Sequence, residues 1–212
     1  MELYGLLLTI LLVLAFLVLH SRRPAVAVVL VGSQSMALAL TAAWWGREQG
    51  LWEMYLAVLF IVAVKGLAIP WVLLRAVRRT GSHLEQGVWG PNALLLVAAA
   101  LVALAFYTTS RWTGTFGPET GLALPVAVGV ILVGLVVMVG KRLALTQVLG
   151  LLVMENGLFL TALAMTGSLP VLVEMGILFD ALVGAVIMTM FCARINDTFA
   201  TQDTSKLSTL KG

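Results

Sequence analysis

Apolar runs of about 20 residues, separated by short polar breaks, fill the chain up to about residue 195. That is the length an α-helix needs to cross a hydrocarbon core of ~30 Å. A membrane barrel would instead alternate apolar and polar residues over strands of about 10 residues, and the runs here are unbroken. The pattern predicts helices over 3–20, 24–43, 51–75, 91–109, 121–140, 144–166 and 169–195. The breaks carry their own punctuation. Pro24 and Pro91 suit first helical turns, where the missing N–H costs nothing. Trp44, Trp45 and Trp52 cluster where an interfacial aromatic belt lies. Gly114, Gly117, Pro118 and Gly121 mark one loop, and Gly167, Ser168 and Pro170 a tight last hairpin. The expected fold is all-α and integral to the membrane, with about seven transmembrane helices. It divides into a four-helix region (1–110), a three-helix region (111–195) and a polar tail (196–212).

Composition names the solvent. Hydrophobic residues make up 61% of the 212 and charged residues 11%, against about 25% charged in soluble domains. A surface this apolar is stable only against lipid, where helices satisfy their own backbone groups.

Charge then orients the chain. Arg22, Arg23, Arg75, Arg78, Arg79, Lys141, Arg142, Arg194, Lys206 and Lys211 fall on one side of the predicted helices, and only Arg47 and Arg111 on the other. The positive-inside rule places the first group in the cytoplasm, with the N-terminus outside and the C-terminus inside. The excess of +3 thus needs no nucleic acid to explain it. The first run lacks the basic start of a cleavable signal and reads as a retained helix. Segment 76–90 fits a short interfacial helix or a plain loop equally well.

One cysteine, Cys192, rules out an internal disulfide or an iron–sulfur ligand set within the chain. His20 and His83, the two histidines, fall at or beyond helix ends, so no haem axial ligands are expected. No cofactor, metal site or catalytic residue is expected in this chain.

The chemistry lies in the polar residues inside the spans. An ionisable group at the bilayer centre costs at least ~2.5–3.5 kcal/mol. Lys65, Glu155, Glu174 and Asp180 are such groups, and Gln34, Ser35 and Asn156 add uncharged polarity. Glu155 and Asp180 stand equally far, on either side, from the Gly167–Ser168 tip. At 1.5 Å rise per residue each lies roughly 19 Å from it, near mid-membrane. Glu174 falls nearer the outside. Desolvation pulls a buried acid toward its neutral form and a nearby cation pulls it back, a balance that suits a proton path. The competing reading makes these groups helix–helix hydrogen bonds or an ion pair. For Lys65, Gly66 and Pro70 suggest a kink that lets the ammonium snorkel. The glycines Gly129, Gly134, Gly140, Gly150, Gly157, Gly176 and Gly184 read as close helix packing. The basic pairs Arg22-Arg23 and Lys141-Arg142, followed by Thr41-Ala42 and Thr161-Ala162, hint at an internal repeat; chance accounts for them equally well.

Lys141-Arg142 through Glu155-Asn156, then Val173-Glu174-Met175-Gly176 through Asp180 to Gly184, then Ala193-Arg194-Ile195-Asn196-Asp197, resemble the E-type membrane subunits of hydrogenase-4 and related group 4 membrane-bound hydrogenases. The likeness covers about residues 121–197. That family's C-terminal part is similar to the K-type subunit of respiratory complex I and the C-type subunit of Mrp antiporters. In the complex I subunit two intramembrane glutamates help form a central hydrophilic axis. The resemblance puts the first at Leu152, with Glu155 three residues later on nearly the same face, and the second at Asp180, with Glu174 upstream.

The resemblance implies an accessory membrane subunit of a redox-driven, proton- or ion-translocating assembly in a bacterial or archaeal cytoplasmic membrane. Its partners would be larger antiporter-like membrane subunits and a hydrogenase-like redox module. Two readings compete with it. One is a subunit of a cation/proton antiporter without a redox partner, and the other is a purely structural or assembly subunit. A retinal pump is excluded, because the last predicted helix contains no lysine.

Overall fold

The computed structural model describes residues 2–50, 52–80, 89–110, 118–166 and 184. Among them the elements are helical: α1 (Glu2–His20), α2 (Pro24–Gln49), α3 (Glu53–Ile61), a π-helical stretch (Val62–Ala68), α4 (Ile69–Thr80), α5 (Pro91–Ser110), α6 (Pro118–Gly140) and α7 (Ala144–Thr166). α3, the π stretch and α4 run on without a break as one rod. Six helical spans are long and apolar enough to cross a membrane, and they coincide with the first six predicted helices. The seventh, 169–195, lies outside the described residues except for residue 184. The chain is an all-α, multi-pass membrane protein.

Pro24 stands at the first position of α2 after an extended Arg23. That helix runs six residues past its predicted end and stops at Gly50, whose φ of 68° only glycine adopts readily. α4 likewise continues to Thr80, so residues 76–80 of the segment left open are helical; 81–88 lie outside the described residues. Hydropathy marks where the bilayer ends, whereas a helix ends where its backbone is capped.

The rod replaces the expected kink. Pro70 has no N–H to offer the Gly66 carbonyl, and its ring crowds that carbonyl in an α-helix. The wider π turn makes room, and Ile69 N–H bonds Val64 O, five residues back. One inserted residue turns the register by about 100°. The π stretch packs on α2. A Cβ at Gly66 would collide with Met36 Cε, and one at Gly32 would lie 3.0 Å from Pro70 Cγ. Small residues on both helices therefore bring them together.

α1, α2, α7 and α6 form a closed ring, each packing on the next, with the rod outside α2 and α5 outside α6 and α1. α6 and α7 share the most extensive contact. A Cβ at Gly134 would lie 2.6 Å from Met154 N, one at Gly150 2.8 Å from Gly134 O, and one at Gly157 2.8 Å from Ile131 N. Backbone meets backbone at all three positions, as small residues permit inside membranes. Among the described residues Gly129 and Gly184 have no such neighbours, Gly140 abuts the side chain of Leu94, and Gly176 lies outside the described residues.

The ends of the ring sort by side. Lys141 Nζ donates to Ser21 O at 2.9 Å, joining the α6–α7 turn to the α1–α2 turn. At the opposite end Tyr4 stacks on Trp44, ring centroids 4.6 Å apart, and Thr120 Oγ1 donates to Ala164 O at 2.9 Å. Both basic turns thus share one end, as the charge count requires. Reporter fusions at residues 47, 79, 115 and 205 should read outside, inside, outside and inside. The same side at 79 and 115 would refute the crossing of α5.

Gly150→Val should destabilise the detergent-purified protein by about 1–3 kcal/mol through forced separation of α6 and α7. Gly5→Ala, with nothing among the described residues within 4 Å of the added methyl, should change stability by less than about 0.5 kcal/mol. Thermal unfolding compares them, and equal shifts would refute the tight α6–α7 contact.

Candidate functional site

Where the rod meets α2 and α7, polar side chains from α2, the π stretch and α7 reach one another. Gln34 and Ser35 stand mid-way along α2, Lys65 in the centre of the π stretch, and Glu155 and Asn156 on α7 immediately before Gly157. The Gly157 contact holds that part of α7 against α6 and so sets where the two polar residues stand.

Lys65 is 3% exposed and Glu155 7%. Their charges meet directly, Lys65 Nζ lying 2.9 Å from Glu155 Oε1. Lys65 also donates to Asn156 Oδ1 at 3.2 Å. Asn156 Nδ2 donates to Gln34 Oε1 at 3.1 Å and to Ser35 Oγ at 3.3 Å. Gln34 Nε2 donates to Leu11 O of α1 at 3.0 Å, and Ser35 Oγ donates to Val31 O at 3.1 Å.

The donors all point one way. A backbone carbonyl only accepts, so the Leu11 end fixes the Gln34 amide with its nitrogen toward α1. Its oxygen then faces Asn156, whose own oxygen is left for Lys65. The arrangement presents acceptors to the ammonium from Glu155 and Asn156 together. Glu155 Oε1 is held by the ion pair, and Oε2 has no hydrogen-bond partner among the described residues. A cleft lined by Val31, Ser35, Lys65, Ile69, Leu152 and Asn156 runs beside the pair and leaves no room for a water molecule.

Of the residues singled out in the sequence, the structure brings together Lys65, Glu155, Asn156, Gln34 and Ser35. Glu174 and Asp180 lie outside the described residues. Lys65 does not snorkel. The rod, through its π turn, keeps the ammonium buried against α7. Leu152, the position matched to an acid in the resemblance, lines the same cleft one turn before Glu155. Two features had no signal in the sequence. The Leu11 carbonyl is a backbone group on an apolar helix. Lys141 reads as an ordinary cytoplasmic charge, yet is buried between two turns. Among the described residues no three His, Cys, Asp or Glu side chains gather to hold a metal.

The ring and its buried ion pair define a polytopic membrane protein with an ionisable centre. The chain is 32% identical over 149 residues to hydrogenase-4 component E of Escherichia coli K12, covering 70% of this chain and 69% of that protein. The Shigella flexneri component E matches to the same extent. The chain belongs to the hydrogenase-4 component E family. The match is longer than the 121–197 segment that carried the resemblance, so it takes in part of the N-terminal half. A Mycobacterium tuberculosis protein described as uncharacterised is 30% identical over 203 residues, 94% of this chain and 92% of that one. No family model and no solved structure matches the chain.

Asn156→Leu should destabilise the protein by about 1–3 kcal/mol, because it strips partners from Lys65 and Gln34 at once. Ser35→Ala, which takes one acceptor from Asn156 and a bond to the Val31 carbonyl within α2 but leaves Lys65 and Gln34 their partners, should cost less. Thermal unfolding midpoints order the two, and the reverse order would remove Asn156 from the centre of the network.

Proposed function

We propose that this chain is a membrane subunit, with no cofactor of its own, of a hydrogenase-4-type assembly in a bacterial or archaeal cytoplasmic membrane, and that Lys65 and Glu155 form one step of a proton relay through it. Redox chemistry belongs to other subunits, and larger antiporter-like membrane subunits are its neighbours within the bilayer. By itself the chain catalyses nothing. The assembly is argued from family membership, and the relay from the buried pair.

The carrying observation is the 2.9 Å contact between two titratable groups buried where the rod meets α7. Ammonium with carboxylate, and amine with carboxylic acid, differ only by the position of one proton along that contact. A proton received at Glu155 Oε2 leaves both groups protonated, and the pair returns to its starting charge when Lys65 passes one to an acceptor on a neighbouring subunit. Asn156, Gln34 and Ser35 do not titrate in this range. Their chain ends in the Leu11 carbonyl, which has no proton to pass on, so they orient the pair and close that side. Asp180, and Glu174 beyond it, belong to the same proposal on sequence grounds: Asp180 is an acid at the matching distance from the last hairpin.

In the assembled complex Glu155→Gln should leave subunit content nearly unchanged, since the amide oxygen still accepts from Lys65, while proton translocation in sealed vesicles loses most of its rate. Asp180→Asn tests the second acid in the same way, and Glu155→Asp should be milder than Glu155→Gln. A carboxyl returned to the cleft by Leu152→Glu in the Glu155→Gln background should restore part of the rate. Normal pumping in the Glu155→Gln/Asp180→Asn double variant would show that the acids are structural.

A further inference from the structure

The identity of the moving ion can be read from what already fills the site. A bare alkali cation needs a shell of oxygens to replace the water it gives up. In transporters such a shell commonly combines carboxylates with carbonyls freed by an interrupted helix. Several elements of a cation site are here. Glu155 supplies a carboxylate, Asn156 an amide oxygen and Ser35 a hydroxyl on the same cleft. The centre of this oxygen set, however, is taken by a covalently tethered cation. Lys65 Nζ stands 2.9 Å from Glu155 Oε1 and 3.2 Å from Asn156 Oδ1. The Asn156 oxygen is held toward it by the amide chain that ends on Leu11 O. The adjoining cleft has no room for a water, so a cation could bring no part of its hydration shell.

We infer that this site accepts protons and shuts out sodium and other alkali cations, with the Lys65 ammonium in the place a metal ion would need. The inference rests on the relay reading and gives it an ion. Sodium could enter only by displacing a buried ammonium from both acceptors. A proton needs no space, because it adds to an oxygen already present. Charge balance points the same way. Among the described residues the site's charges are Lys65 and Glu155, which together are neutral and offer no net negative charge to draw in a metal ion.

The test uses the intact complex in detergent at alkaline pH and low buffer. Sodium that takes the ammonium's place on Glu155 would make Lys65 shed its proton, and sodium that binds a protonated Glu155 would expel the carboxyl proton, so sodium chloride is added and proton release is compared with that from choline chloride. Wild type and Glu155→Gln should respond identically, since release from other subunits is common to both. A sodium-specific release in wild type that Glu155→Gln abolishes would overturn the inference. Lys65→Ala opens the position and should gain a sodium-specific release, while Lys65→Arg, which keeps a cation there, should not. Assembly of each variant is checked by subunit content. A fully assembled Lys65→Ala complex with no sodium response would show that Lys65 is not what excludes the ion. The outcomes separate from those of the relay: Glu155-dependent sodium release refutes the exclusion alone, whereas undiminished pumping in the Glu155→Gln/Asp180→Asn double variant refutes the relay.

Discussion

A polar group inside a bilayer has no water to turn to, so each hydrogen bond it needs must come from another part of the protein. Asn156 carries that constraint for this chain. Its amide receives from Lys65 and donates to Gln34 and Ser35, so one side chain ties α7 to both α2 and the rod. Gln34 carries the tie on to α1. Three of these partners would be left buried and incomplete if α7 moved away. The ring of α1, α2, α7 and α6 is therefore held by apolar and small-residue packing at its circumference and by a directional polar chain across its middle.

Two backbone devices bring the polar groups into reach. On one side Gly134, Gly150 and Gly157 let α6 and α7 touch main chain to main chain, which fixes the axial position of Glu155 and Asn156. On the other, Pro70 forces the rod into a π turn, and Gly32 and Gly66 let that turn lie close to α2. Lys65 sits within the turn. The proline that suggested a kink thus produces a local widening, and the lysine that could have reached for the interface is held at the centre.

The packing also bears on the two halves of the chain. α1 lies on α6 and α2 on α7, so the N-terminal helices are not a separate bundle. Thr41 and Thr161, the residues that hinted at a repeat, each donate to the carbonyl four residues back. The polar pairs Gln34-Ser35 and Glu155-Asn156 face each other across the α2–α7 crossing. Half of the site therefore comes from residues 1–110, where the sequence shows little beyond hydrophobic pattern.

Hydropathy and the placement of Lys and Arg were enough to determine six described spans, and Pro24 and Pro91 mark their own breaks. These properties are local, because a span depends on its own twenty residues and on the lipid around it. The same is true of which polar residues are anomalous, since Lys65, Glu155, Asn156, Gln34 and Ser35 stand out against an apolar background. Which of them meet was decided only in three dimensions. Lys65 and Glu155 are ninety residues apart, and their contact depends on the register of α7 against α6, on the π turn's rotation of the rod, and on a Leu11 carbonyl that no side-chain pattern reveals. Helix formation is settled by backbone bonds within one segment, whereas the pairing of buried charges is settled by how several segments pack, and that information is distributed over the whole chain.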